Sequence, residues 1–262
     1  MWHDRERDGV LGSVLPSAVV WEEEFGDSAS VELFPEEAVL VRDAVPRRVN
    51  EFGTVRECAR RSLARLGVAP VPILPGTRGE PRWPPGIVGS MTHCEGFRGA
   101  AVAWSRDIAS FGIDAEPHEP LPPGLLTKVA RPEEIPRIAQ LGRRDPTVQW
   151  GRLTFSAKEA VYKAWFPLAR RRLGFHDIAI TFDPLVRHFR ARLYAAGLVL
   201  HGQSVTTVSG NWTDECGLIC TAVVVERNHS CDMLAKPVPM AEIERPAVSA
   251  GRLSGDCVRG HG

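Results

Sequence analysis

Twice along this chain a helix-like stretch is followed by a run of strand-like segments, and that order limits the architectures open to it. The first pass sets a helix near Pro46 to Leu66 before strands at Ile87 to Ser90, Gly99 to Trp104 and Ile108 to Asp114. The second sets a helix near Thr147 to Trp165 before strands at Asp177 to Phe182, Phe189 to Tyr194, Ser204 to Trp212 and Leu218 to Val225. In the helices apolar residues recur at the 3.6-residue period, and in the strands at period 2. The expected fold class is α+β, with two similar lobes, each a helix packed on a small antiparallel sheet, and a cleft between them. The expected boundaries are an N-terminal extension over 1–18, a first lobe over 19–112, a second over 113–227, and a disordered tail over 228–262. In that tail the hydrophobic periodicity gives way to Pro, Ser and Gly.

With 262 residues, 44% of them hydrophobic, the chain can bury a substantial core. Its 32 basic and 32 acidic side chains cancel, so bulk electrostatics offers nothing to nucleic acid, and an anion site must come from local clustering. The charged start Met1-Trp2-His3-Asp4-Arg5-Glu6 lacks the apolar stretch of a signal peptide, and no run is long enough to span a bilayer. The expected location is the cytoplasm. The six cysteines, Cys58, Cys94, Cys216, Cys220, Cys231 and Cys257, are scattered and read as reduced thiols.

Chemistry concentrates in two segments. In Phe111-Gly112-Ile113-Asp114-Ala115-Glu116 the apolar residues alternate, so Asp114 and Glu116 share one face of a strand that Pro117 ends. Two hard anionic ligands so placed suit Mg²⁺, whose octahedron is completed by phosphate oxygens and water; a surface strand with two solvated acids is the bland alternative. In the second segment Asp145-Pro146 reads as an N-cap followed by Pro at the first helical position. Trp150, Leu153, Ala157, Ala160, Val161 and Ala164 form the core face of that helix, yet Phe155, Tyr162 and Phe166 surround Glu159 and Lys163 on the opposite side. A carboxylate and an ammonium among aromatics belong in a cleft. Two bland readings compete: an ordinary i, i+4 ion pair between Glu159 and Lys163, and a capping box formed by Ser156 and Glu159.

Positive charge is local to the first lobe. Arg48 and Arg56 lie eight residues apart, close to two helical turns, and an arginine fork suits phosphate. Arg60, Arg61 and Arg65 read as solvated. The loop Pro75-Gly76-Thr77-Arg78-Gly79-Glu80-Pro81 is rich in turn formers, and Thr92-His93 adds a hydroxyl and an imidazole.

Gly89-Ser90-Met91-Thr92-His93-Cys94, Phe111 to Glu116, and Lys158-Glu159-Ala160-Val161-Tyr162-Lys163 together resemble the three ordered motifs of the 4′-phosphopantetheinyl transferases, in their stand-alone Sfp-type branch. Arg48-Val49-Asn50-Glu51-Phe52 with Arg56, and Lys163-Ala164-Trp165-Phe166-Pro167-Leu168, resemble the subgroup that includes the enterobactin synthetase component and actinobacterial polyketide-activating enzymes. Coverage runs from about Val19 to Glu226. The resemblance implies a pseudo-twofold monomer that binds coenzyme A and Mg²⁺, with Mn²⁺ as a substitute, between its lobes. It would move the phosphopantetheine arm to a serine of an apo acyl or peptidyl carrier protein of a polyketide, nonribosomal peptide or fatty acid synthase, releasing 3′,5′-adenosine diphosphate. No nucleic acid or membrane partner is implied.

By motif position Asp114 and Glu116 would hold the metal with the Ala115 carbonyl, and Glu159 would be a third ligand or the base. Lys158 and Lys163 would neutralise phosphates. Arg48, Arg56, Thr92 and His93 would grip the nucleotide, and Pro75, Gly76, Thr77 and Arg78 would line its loop. Phe155 stands where many relatives have Trp, and Pro75 where close ones carry Lys; Arg78 or Arg82 would then supply the lost charge. Arg170-Arg171-Arg172 is a candidate docking edge for an acidic carrier helix. The alternatives are a Mg²⁺-dependent hydrolase of nucleotide pyrophosphates and a non-catalytic coenzyme A-binding module.

Overall fold

The structure, a computed structural model, describes residues 9–28, 31–194, 199–200 and 203–227. The expectations for residues 1–8, for the tail from Asn228, and for Cys231 and Cys257 lie outside the described residues. In chain order the elements are β1 (Val20–Phe25), α1 (Pro35–Leu40), α2 (Pro46–Arg65), β2 (Ile87–Cys94), β3 (Phe97–Trp104), β4 (Ile108–Pro117), α3 (Leu126–Val129), α4 (Ile135–Arg144) and α5 (Trp150–Ala169). There follow β5 (Ile178–Asp183), β6 (His188–Leu193), the short pair β7 (Val199–Leu200) and β8 (Gln203–Ser204), β9 (Thr207–Thr213) and β10 (Leu218–Glu226). The protein is a mixed α+β fold built on antiparallel sheets.

The first sheet has the order β1-β3-β2. Helix α2 packs on it through Cys58, Ala59 and Leu63, which meet Ala100 and Val102 of β3. Strand β3 is buried on both faces, because Phe97, Ala101 and Ala103 point the other way into a second cluster. That cluster joins the two sheets: it takes Phe111, Ile113 and Ala115 from β4, and Leu218, Cys220 and Ala222 from β10. Strand β1 carries three consecutive glutamates, and alternation sorts them. Glu22 and Glu24 face α2 and pair with Arg61, while the carboxylate of Glu23 accepts the Val10 and Leu11 amides of the N-terminal segment at 3.0 and 2.9 Å. Arg61 is therefore paired, not merely solvated. Arg60 too is engaged, donating to the fully buried Glu37 at 3.0 Å.

The second sheet has the order β4-β10-β9-β6-β5. The Asp/Glu strand therefore does not close the first lobe, as its place in the chain implied. It pairs antiparallel with β10, Asp114 opposite Thr221 and Glu116 opposite Ile219, and one unbroken strand crosses the 112/113 boundary. The pairing spans about a hundred residues of sequence and leaves no local trace. On the opposite edge, side-chain hydroxyls of β2 replace a ladder: Ser90 Oγ accepts the Ile113 amide at 3.1 Å and Thr92 Oγ1 that of Ala115 at 2.9 Å.

Helix α5 starts at Trp150 rather than at Asp145-Pro146. The Asp145 carboxylate folds back on its own chain, accepting the Thr147 amide at 3.1 Å in an Asx turn. Ser156 is consequently mid-helix, bonded to Thr221 Oγ1 at 2.9 Å, and forms no capping box. The apolar stripe of α5 packs on Ile219 and Val223 of β10. Against β4 the approach is closer. A Cβ at Gly112 would lie 2.1 Å from the Ala160 carbonyl oxygen and 2.6 Å from the Ala164 nitrogen, both backbone atoms that cannot turn aside. Gly112→Ala is expected to cost about 3 kcal/mol or more, read as a lower denaturant midpoint; an unchanged midpoint would show that α5 can slide away from β4.

Candidate active site

The face of β4 turned toward α5 carries, in order, Ser110, Gly112, Asp114 and Glu116. Ser110 donates to the Ala164 carbonyl at 2.8 Å. Asp114 is buried, and its Oδ1 accepts from Lys163 Nζ at 2.8 Å, an ammonium that also donates to the Ile113 carbonyl at 3.0 Å. Lys163 thus pairs with Asp114 rather than with Glu159 one turn before it. The other oxygen of Asp114, Oδ2, is buried with no hydrogen-bond partner among the described residues. Glu116 accepts from Arg152 Nη1 at 2.8 Å.

These acids crowd one another. Burial raises the Glu116 carboxyl above the ordinary range, and the Asp114 charge adds to it, while Arg152 and Lys163 oppose. Burial also raises Glu159, again with Asp114 adding and Lys163 opposing. Sites short of positive charge look like this.

Beside the acids opens a cavity of about 1100 Å³, lined by Glu159, Tyr162, Lys163 and Phe166 on one wall and by Arg48, Arg56 and His93 on another. Arg48 Nη1 lies 2.9 Å from His93 Nε2. An arginine can only donate, so this nitrogen accepts, consistent with a His93 pKa lowered by burial and then by Arg48. Arg56 is more deeply placed: it donates to the Ile73 and Phe52 carbonyls at 3.1 and 3.2 Å and lies over the Phe52 ring. Burial pushes its pKa down to about 10, which leaves it charged at neutral pH. The loop contributes Pro75, Thr77, Arg78 and Arg82 to the lining. Glu80 of that loop is bridged by Arg170 at 3.2 Å, from just beyond the end of α5.

Several expected residues stand elsewhere. Lys158 is fully buried and points away from the cavity, donating to Glu134 at 2.6 Å and to the Val129 and Phe175 carbonyls. Neighbours on a helix diverge by about 100°, so the residue before Glu159 serves the core and neutralises no phosphate. Thr92 is buried and engaged with the Ala115 amide, which makes it a strand tie rather than a nucleotide contact. Gly76 does not line the cavity; a Cβ there would strike the Glu80 carboxylate at 2.2 Å. Asp114 and Glu116 adjoin the cavity without lining it, linked to it through Lys163. Sequence reading missed Arg152. Its signal was the spacing, two turns before Glu159 and so on the same stripe of α5.

The chain is similar to known proteins along most of its length. A family model described as the 4′-phosphopantetheinyl transferase N-terminal domain matches residues 36–103, and one described as the 4′-phosphopantetheinyl transferase superfamily matches residues 110–205. The chain is 50% identical over 219 residues to the 4′-phosphopantetheinyl transferase Svp of Streptomyces mobaraensis, covering 82% of this chain and 89% of that relative. It is 46% identical over 225 residues to the 4′-phosphopantetheinyl transferase PptT of Mycobacterium tuberculosis, with 82% and 98% covered. With Npt of Nocardia iowensis, also a 4′-phosphopantetheinyl transferase, identity is 40% over 222 residues, 82% of this chain and 99% of the relative. This chain belongs to the 4′-phosphopantetheinyl transferase family. It is a transferase, and its family takes coenzyme A as substrate. No helix among the described residues is long and apolar enough to cross a membrane.

The donor set of this transferase fits a divalent cation. Asp114 and Glu116 offer hard oxygens, one of them buried and without a partner. Among the described residues no three acidic, His or Cys side chains form a closed cage. Glu159, the third acid of the expected ligand set, is therefore not gathered with Asp114 and Glu116 into one cluster.

Because burial and the Asp114 charge raise Glu159, the folded protein binds that proton more tightly than the unfolded chain does. The stability so gained is present below the ordinary carboxylate pKa and is lost as pH rises from there through the raised pKa of the folded state. In chelator-treated buffer Glu159→Gln is therefore expected to melt above the parent at about pH 8, the difference closing toward about pH 4. Equal melting temperatures across that range would show that Glu159 bears its charge at no cost.

Proposed function

We propose that this transferase moves the 4′-phosphopantetheine arm of coenzyme A to a serine hydroxyl of an apo acyl or peptidyl carrier domain, with Mg²⁺ bound at Asp114 and Glu116. The observation that carries the reading is one cavity that brings together the acid Glu159, with Asp114 and Glu116 adjoining through Lys163, and the cations Arg48 and Arg56 beside His93. A pyrophosphate bearing a 3′-phosphorylated nucleoside needs both.

In the reaction the serine oxygen forms a bond to the β-phosphorus, and the bond from that phosphorus to the bridging oxygen breaks. The electron pair leaves with 3′,5′-adenosine diphosphate. Transfer of this kind depends on positioning and charge neutralisation more than on covalent chemistry. Asp114 and Glu116, with the Ala115 carbonyl, would hold a divalent cation, which would supply positive charge to the pyrophosphate. Glu159 takes the serine proton; its raised pKa makes it a stronger base than a solvated carboxylate. Lys163, tethered to Asp114 at 2.8 Å and lining the cavity, meets the charge that develops on the leaving phosphate. Arg48 and His93 grip the 3′-phosphate, with Arg56 braced behind them. Tyr162 and Phe166, whose rings lie 5.8 Å apart, give the arm an apolar wall. The carriers are domains of polyketide, nonribosomal peptide or fatty acid synthases, met at the Arg170 to Arg172 edge.

Mass spectrometry after mixing the protein with Mg²⁺, coenzyme A and an apo carrier tests this directly. The expected result is a phosphopantetheine mass gain on the carrier serine. Coenzyme A hydrolysis with an unmodified carrier would sink the transfer. Glu159→Gln is expected to lose transfer by at least about 10²-fold, the lower scale for a general base, and full activity in the folded variant would remove Glu159 from the chemistry. Arg48→Ala is expected to weaken coenzyme A more than 3′-dephospho-coenzyme A, measured by calorimetry with each ligand. Equal losses would move Arg48 off the 3′-phosphate.

A further inference from the structure

One side chain beside the acids is engaged far beyond what a surface arginine requires. Arg152, in the first turn of α5, spends all three guanidinium nitrogens on a single stretch of chain: Nη1 on Glu116 Oε2 at 2.8 Å, Nε on the Glu119 carbonyl at 3.1 Å, and Nη2 on the Pro120 carbonyl at 2.9 Å. Its side chain is only 14% exposed, and that of Glu116 18%. The stretch it clasps includes Pro117 and Pro120, which have no amide to donate, and Arg152 adds to the ties made there by the His118 and Glu119 amides, which donate to the Gly217 and Pro117 carbonyls at 2.9 and 2.8 Å. One oxygen of Glu116 is held; the other, Oε1, takes no hydrogen bond among the described residues.

We propose that Arg152 is a positioning residue for the transfer reaction, fixing Glu116 with one oxygen clamped and the other presented to the divalent cation. The proposal rests on the reading of Asp114 and Glu116 as cation ligands. The planar fork matters as much as the charge. A carboxylate that ends a strand has free side-chain torsions, and a point charge would pull it without setting its orientation. A fork anchored at two carbonyls holds the arginine itself still, so the carboxylate it binds is held as well. Outer partners of this kind typically govern metal affinity by 10- to 100-fold.

The test is Mn²⁺ binding by electron paramagnetic resonance on the full chain, with coenzyme A present and no carrier, so that nothing turns over. Coenzyme A affinity in chelator is measured alongside. Arg152→Gln is expected to bind Mn²⁺ about 10- to 100-fold more weakly while its chelator-measured coenzyme A affinity stays near that of the parent. Arg152→Lys, which keeps the charge but can satisfy only part of the fork, is expected to fall between the two. Mn²⁺ affinity equal to the parent's in folded Arg152→Gln overturns the proposal. If that variant does not fold, equal affinity in Arg152→Lys does so. Glu116→Ala runs in parallel. If it loses Mn²⁺ while Arg152→Gln does not, the positioning role falls and the cation reading stands. If Glu116→Ala binds Mn²⁺ as the parent does, both fall.

Discussion

The near contact of β4 with α5 sets the geometry on which the site depends. At Gly112 the strand and the helix backbones approach so closely that there is no room for a methyl group. That distance brings Asp114, two residues on, within reach of Lys163, and Glu116, two further, within reach of Arg152. A bulkier residue at 112 would lever the helix outward, and the pairs beyond it would part together. The opposite face of β4 reinforces the placement. Phe111, Ile113 and Ala115 are locked into the cluster between the sheets, while hydroxyls of Ser90 and Thr92 hold the strand's free edge. The strand that carries the acids is thus held by α5 on one face, by the core on the other, and by β2 and β10 at its edges.

Charge is distributed with a consistent logic. Buried carboxylates away from the cavity are fully satisfied: Glu37 accepts from the Ile73 amide at 2.8 Å and from Arg60, and Glu134 accepts from the Ile180 amide at 2.6 Å and from Lys158. Such carboxylates splice distant segments, and removing one partner would strand a charge in the interior. The acids beside the cavity differ. Asp114 retains a buried oxygen with no partner, and Glu116 and Glu159 are pushed toward protonation. The same residue type thus serves as a structural splice at Glu37 and Glu134, and keeps hydrogen-bonding capacity open at Asp114.

Local pattern carried a good deal of this. Period-2 alternation from Phe111 to Glu116 placed Asp114 and Glu116 on one face, and the helical period put Glu159 and Lys163 on a second, half-buried face of α5; both follow from dihedral geometry that any such segment obeys. Ordered motifs identified the family without reference to the fold. The acidic strand β1 escaped notice because three successive glutamates look solvated until alternation assigns each a neighbour. Asp145-Pro146 misled because an Asx turn and an N-cap use the same side chain in the same way.

The sequence by itself determined the two long helices α2 and α5, most strands of the two sheets, and the chemistry on their faces, since each depends on residues within a few positions of one another. Only the tertiary structure decided that β4 joins the second sheet, that Lys163 answers Asp114 rather than Glu159, that Lys158 is spent in the core, and that Arg152 reaches Glu116. Each of these links residues that are tens of positions or more apart, or chooses among partners of equal local merit. Such choices are made by which surfaces pack and which buried charges must be met, and those are known only once the chain has closed on itself.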